Sequence, residues 1–487
     1  MPSPPPRKHN VNNDQQPLPE KHPGKSSRNR KRRRSRHKPL GLLPTINPDA
    51  AGADIGAREI VVCVPADRAQ EPVRTFATFT QDLQALGDWL IECKISTIAM
   101  ESTGMYWIPL YQILETRGIT VRLVNARHVK HVPGRKSDVC DAQWLQYLHS
   151  VGLLRGSHRP TQNICAIRSL VRHRDSVLAQ AADQVRHMHK CLDQMNLQIH
   201  HVLSDLTGTT GMTMLEAIVA GERDASVLAA HRDPRIKASK LVIEKSLRGD
   251  WRAEHLLVLR LALECWRHLR GQLDVLDKEI ARLTLALEDR VDLEALPLPA
   301  PRKRLNISTN APLGGLDMRT EYYRVLGTDL TAVPAISLIT VQSFVSEVGT
   351  DLSRFKSCDH FVSWLGLCPG TKISGGKVLD ARSRKGKPRF ARMLRQAAQS
   401  LHQSQSALGV RYRRLRSRLG APKALTAMGH CLARIIYHLV YHRQPYDDSV
   451  FNNLEAQHAQ RQLQRLQRQA SALGLTLVPA ITPALPG

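Results

Sequence analysis

A chain of 487 residues is longer than one hydrophobic core usually organises, so two or three domains are expected. It is 42% hydrophobic but only 5% aromatic, so aliphatic side chains must fill those cores. A formal charge of +27 is far from that of an ordinary metabolic enzyme and points to a polyanion, nucleic acid first, with anionic lipid or a merely solvated basic surface as the alternatives.

No apolar run approaches the roughly 20 residues of a membrane span, and no hydrophobic signal segment follows the start, so no membrane partner is expected. The nine cysteines are odd in number and form no CxxC pair, which reads as reduced thiols of a cytoplasmic protein rather than a zinc site or disulfide frame.

Residues 1–45 hold 12 Lys/Arg and 2 Asp/Glu around "RNRKRRRSRHK" and read as a disordered basic arm, either gripping a polyanion or aiding solubility. Residues 46–155 alternate strand and helix signals. "REIVVCV", "TFATF", "TIAM" and "TVRLVN" read as strands, and "QDLQALGDWLIEC", "MYWIPLYQILETRG" and "SDVCDAQWLQYLHSVG" as helices. An α/β domain is expected there.

From 156 to 290 the pattern becomes helical scaffold. Positions 164, 167, 171, 174, 178, 181, 185, 188, 192, 195, 199, 202 and 206 step by threes and fours, and only Arg174 breaks their apolar run. A second stripe runs from Leu256 to Leu287. Such stripes predict coiled-coil packing, within one chain or between subunits of a dimer or tetramer. Residues 291–317, rich in proline, read as a linker, and 318–446 as a mainly helical C-terminal domain. A polar, glutamine-rich helix and tail fill 447–487.

Four carboxylates of the first domain stand where chemistry could be placed. Asp54 lies in "GADIG", just ahead of the first expected strand; Glu101 ends "TIAME"; Asp138 and Asp141 lie one turn apart on the last helix. Sites of open α/β sheets form at strand ends, and hard oxygen donors without Cys or His spacing suit Mg²⁺ or Mn²⁺. Each acid alone could equally be a cap or a solvated surface group.

A second stretch, "KISGGKVLDARSRKGKPRF", sets Ser374 before two glycines and a basic run. Lys372, Lys377, Arg382, Arg384, Lys385, Lys387 and Arg389 are candidate phosphate contacts. Locally Ser374 is either the corner of a turn or a hydroxyl held against phosphate.

Together these blocks resemble the insertion sequence 110 family of bacterial transposases. "GADIGAREIVVCVP", "AMESTGMYWIPLYQIL" and "RKSDVCDAQWLQYLHSVG" match its D-E-D-D pattern, and "FVSWLGLCPGTKISGGKVLDARSRKGKPRFARMLRQAAQ" its second block. The resemblance implies a RuvC-like, RNase H-like first domain in which Asp54, Glu101, Asp138 and Asp141 bind divalent metal. It implies Ser374 as the nucleophile of a covalent phosphoserine intermediate, and a bridge RNA guiding an oligomer to donor and target DNA. "AVPAISLIT", residues 332–340, stands where that family's DNA-binding turn is expected but lacks its glycines. A metal-dependent nuclease of Holliday-junction type, with Ser374 structural, and a non-catalytic nucleic-acid-binding protein are the other readings.

Overall fold

A computed structural model describes residues 43–102, 104–124, 138–154, 156–157, 159–301, 310–312, 314–380 and 388–478. The arm as far as residue 42, part of the expected linker and the last nine residues lie outside them. The chain divides into two compact units, one ending at His158 and one beginning at Arg159.

The first unit is a mixed five-stranded sheet in the order β3-β2-β1-β4-β5: β1 Ala50–Ile55, β2 Glu59–Cys63, β3 Val73–Ala77, β4 Thr97–Glu101 and β5 Thr120–Val124. β1, β2 and β3 form an antiparallel meander, while β4 and β5 run parallel to β1. Helices α1 (Thr80–Glu92) and α2 (Trp107–Thr116) cover one face, burying Leu86, Leu90, Leu110 and Leu114 against Ala53, Ile98 and Met100. Helix α3 (Asp138–Ser150) covers the other, packing Leu145 and Leu148 on Ala99 and Val124. A mixed sheet of this order with helices on both faces fits an RNase H-like domain.

One element differs from the sequence reading. Asp54 is not ahead of the first strand but inside it, at the fifth position of β1. "AAGADI" has almost no strand-favouring residue. It is extended because two neighbouring strands satisfy its backbone groups from either side.

His149 of α3 is 1% exposed and its Nε2 lies 2.9 Å from the Thr97 hydroxyl. Burial, aided by the Arg122 charge, pulls its pKa down to about 4.

The second unit rests on two antiparallel 33-residue helices, α4 (Gln162–Gln194) and, after three short helices α5 (Thr209–Ala220), α6 (Ala225–Ala230) and α7 (Lys240–Ser246), α8 (Ala253–Leu285). The helices pair within one chain: Ala181 and the partly buried Leu178 of the α4 stripe pack with Leu269 and Leu273 of α8, and Val177, outside the expected stripe, is buried with them. The α4 stripe outruns its helix. Asn196, at φ 56°, follows the helix end, and Ile199, in a 3₁₀ turn, and Leu206, in a loop, pack against α5–α7.

At the other end of the pair a larger core gathers α9 (Met318–Leu326), α10 (Leu338–Glu347), α11 (Cys358–Trp364), α12 (Arg389–Ser400), α13 (Ala407–Leu419) and α14 (Ala421–His442). Helix α15 (Ser449–Ala472) follows. Before α10, Ala335 takes φ 77°, so the turn of "AVPAISLIT" bends through the left-handed region without a glycine.

Arg174, the break in the stripe, is 2% exposed. Its guanidinium donates to both carboxylate oxygens of Asp277 on α8, at 2.5 and 3.0 Å, and to the Asn310 carbonyl at 2.9 Å. The pair fixes how the two helices align.

Two stability predictions follow from these buried groups. Arg174→Ala strands the Asp277 charge and should cost about 3–5 kcal/mol in urea unfolding, whereas Arg174→Met with Asp277→Leu should recover most of it. An unharmed single variant would show that the pair carries no structural weight. For His149 the folded state resists protonation, so its contribution is complete above pH 6.5. It is lost as the pH falls toward 4 and amounts to about 3 kcal/mol. The urea midpoint should drop between pH 7 and 5, and His149→Gln should flatten that drop.

Candidate functional site

The first candidate site begins with a glycine. A Cβ on Gly52 would stand 2.2 Å from the Gln146 nitrogen and 2.5 Å from the Ala142 carbonyl, so α3 lies directly on β1. Ala99 pairs beside Gly52 on β4 and is equally small. Gln146 donates from Nε2 to the Ala50 carbonyl at 3.2 Å, which sets the helix antiparallel to the strand.

That direction places the acids. Asp54 lies two residues beyond Gly52, about 6.6 Å along the strand. Asp138 lies four residues before Ala142, about 6 Å along the helix. The first turn of α3 therefore stands level with Asp54. Asp54 pairs with Val61, which packs with Ala142, so Asp54 belongs to the α3 face of the sheet. Glu101 pairs with Val124, which packs with Leu145, and belongs to the same face. β1 and β4 are parallel and in register through Ala53 and Met100, one residue before the two acids. Asp54, next to last in β1, and Glu101, last in β4, thus lie side by side on adjacent strands, about 4.8 Å apart at the backbone. Both are partly buried, and Asp141 is exposed on α3.

Among the described residues no three His, Cys, Asp or Glu side chains close into a metal-holding group. The donor chemistry nevertheless fits a divalent cation: hard carboxylate oxygens from two neighbouring strand ends and the first turn of a helix above them.

Ser374 belongs to the second unit. It closes β6 (Lys372–Ser374), which pairs antiparallel with β7 (Lys377–Asp380). Gly375 and Gly376 join them at φ 54° and 74°, the two positive values that a tight two-residue hairpin turn requires. Nothing lies within 4 Å of a Cβ built on either glycine, so the backbone angle, not crowding, demands them. Ser374 and Lys377 face each other across this turn, and both are exposed. The hairpin also exposes Ile373 (64%), Val378 (59%) and Leu379 (68%).

Of the other basic candidates, Lys372 pairs with Asp380 in the register, while Arg382, Arg384, Lys385 and Lys387 lie outside the described residues. Arg389 opens α12 and is held by two acids: its guanidinium lies 2.9 Å from Asp175 and 3.9 Å from Glu347. That half-exposed guanidinium already ties α12 to α4 and α10.

Two family models match the chain. One, described as Transposase and built on DEDD transposases of the IS110 group, covers residues 51–197; the other, described as Transposase IS116/IS110/IS902 family, covers residues 328–413. The chain belongs to the IS110 family of transposases. The enzyme is a DNA transposase/recombinase, and DEDD transposases in general use a divalent metal. The first matched span holds all four acids and the second holds the Ser374 hairpin. No curated protein matches the transposase. None of its described helices is long and apolar enough to cross a membrane.

Gly52 gave no signal in the sequence beyond being a glycine, yet it seats the helix that carries Asp138 and Asp141. Gly52→Ala forces backbone against backbone and should destabilise the first unit by about 1–3 kcal/mol. A lowered thermal midpoint together with lost strand exchange is expected, and an unchanged midpoint would refute the seat.

Proposed function

We propose that this transposase cuts and rejoins DNA with Asp54, Glu101, Asp138 and Asp141 as the carboxylate cluster and Ser374 as the nucleophile. The observation that carries the reading is the placement of Asp54 and Glu101 side by side on adjacent parallel strand ends, level with the first turn of α3. A bound Mg²⁺ or Mn²⁺ would supply Lewis acidity toward the phosphodiester. The carboxylates would hold it, and their own charges keep that end of the sheet from accepting a phosphate unaided.

Ser374 stands exposed beside the glycine turn of the hairpin, a position that a DNA backbone can approach. Attack by Oγ on phosphorus forms one P–O ester as another, to a deoxyribose oxygen, breaks. The departing sugar oxygen takes up a proton and the serine loses one. The number of phosphate esters is unchanged, so the reverse attack by a sugar hydroxyl rejoins DNA without an external energy source. Lys377, across the turn, is suited to offset phosphate charge beside the hydroxyl.

The wider reading follows the sequence resemblance: a structured bridge RNA selects donor and target DNA, and the protein acts as an oligomer. The net charge of +27 supports a partner of that kind.

Strand exchange, covalent adduct and binding are separable readouts. Asp54→Asn should lower strand exchange by about 10³-fold or more while leaving nucleic-acid binding in place, and EDTA should mimic it. Ser374→Ala should likewise retain binding but form no denaturant-resistant protein–DNA adduct. Recombination at the wild-type rate by Ser374→Ala would remove the nucleophile assignment, and by Asp54→Asn the metal assignment.

A further inference from the structure

From residue 381 to 446 the chain carries fifteen Lys/Arg and no Asp or Glu. Only part of that charge belongs to the basic run after Ser374. Much of the rest lies on α13 and α14, away from any residue assigned so far. On α14, His430, Arg434, His438 and His442 follow one another at intervals of four, which aligns them as a single ridge along the helix. His438 and His442 are exposed with their rings stacked, 5.8 Å apart and 8° from parallel; His430 and Arg434 are half-buried.

Beside the ridge runs a chain of aromatic rings. Trp364 of α11 stacks on Phe361, Phe361 packs on Tyr437, and Tyr437 stacks on Tyr441 at 5.3 Å. The inner two are buried, and the outer two open to solvent: Trp364 is 39% and Tyr441 49% exposed. Among the described residues only four large aromatic side chains are exposed, the others being Phe79 and Tyr106. In a chain so poor in aromatics, two exposed rings at the ends of one stack, beside a histidine–arginine ridge, form a specific surface.

We infer that this face of α14 and α11 binds an unpaired nucleic-acid strand, its phosphates along the histidine–arginine ridge and its bases stacked on Trp364 and Tyr441. A duplex fits less well, because its bases hide the π-faces that such rings require. A protein partner would call for carboxylates opposite the ridge but gives no use for two flat, separated rings. The inference rests on the nucleic-acid role of the family and not on the acids or on Ser374.

The ridge is also proton-linked. Burial holds the His430 imidazole below its ordinary range, with Arg434 and Arg411 adding to the effect; burial, His442 and Arg434 do the same for His438. The groups facing it from packed helices are Asp359 of α11, which pairs with Arg434, Arg395 of α12, whose side chain lies 3.5 Å from a Cβ on Gly429, and Arg411 of α13. One acid among these cations leaves the His430 and His438 imidazoles neutral in the free protein. A phosphate beside them raises their proton affinity, so binding takes up protons and tightens as the pH falls from 7.5 to 6.

The test is fluorescence anisotropy of the full-length protein in EDTA, where no cleavage is read. The probes are a labelled 20-nucleotide RNA, DNA of the same sequence and the 20-base-pair duplex. Tyr441→Ala and Trp364→Leu should each weaken single-strand binding about tenfold and leave duplex binding nearly unchanged, and Tyr441→Phe should keep wild-type affinity. His438→Gln should flatten the pH dependence. Tighter binding of the RNA or of the DNA strand identifies the occupant, and either supports the site. Equal losses on strand and duplex, or no loss with Tyr441→Ala, would overturn it, whether or not Ser374→Ala blocks recombination.

Discussion

The distance between α3 and the sheet depends on Gly52. A backbone nitrogen and a carbonyl of the helix occupy the volume where any other residue would put its Cβ, and Ala99 alongside adds only a methyl group. Because helix and strand run antiparallel at that contact, every residue along α3 is matched to a level along β1. The alignment of acids on two elements far apart in sequence follows from this single close approach. A dry, closely packed seat resists sliding in a way that a layer of long side chains would not.

The second unit solves its alignment differently. Apolar stripes specify that α4 and α8 lie together, but aliphatic side chains tolerate small shifts along the axis. The bidentate contact of Arg174 with Asp277 does not, since its two bonds demand one geometry. The ends of the helix pair then serve two separate cores, the small one of α5–α7 and the large one of α9–α14.

Much of the first unit was legible in its periodicity: four of its five strands and all three helices come close to the expected spans. β1 was not, because a buried central strand of alanine and glycine has neither alternation nor branched side chains to announce it. The four acids could be singled out by position, but the shared face of Asp54 and Glu101 depends on pairing register, which composition does not encode. For Ser374 the glycine pair foretold a turn, whereas the short strands either side of it, with Ile373 and Val378 open to solvent, form only by pairing with each other. Arg174 looked like a flaw in a stripe because its partner is 103 residues away. The ridge on α14 gives no signal in the sequence, since histidines four apart mean little until the helix has a known outer side.

Among the described residues the Ser374 hairpin is held by the ladder between its two strands. Two short strands with apolar side chains open to water on both faces are marginal in isolation, and two adjacent glycines at positive φ add backbone entropy to the opened state. Such an element opens at far lower free energy than the helices around it, on the scale that amide hydrogen exchange resolves. Its closed form gains most when something covers Ile373, Val378 and Leu379. A surface covering them would therefore set how often the hairpin, and with it the proposed nucleophile Ser374, is held closed.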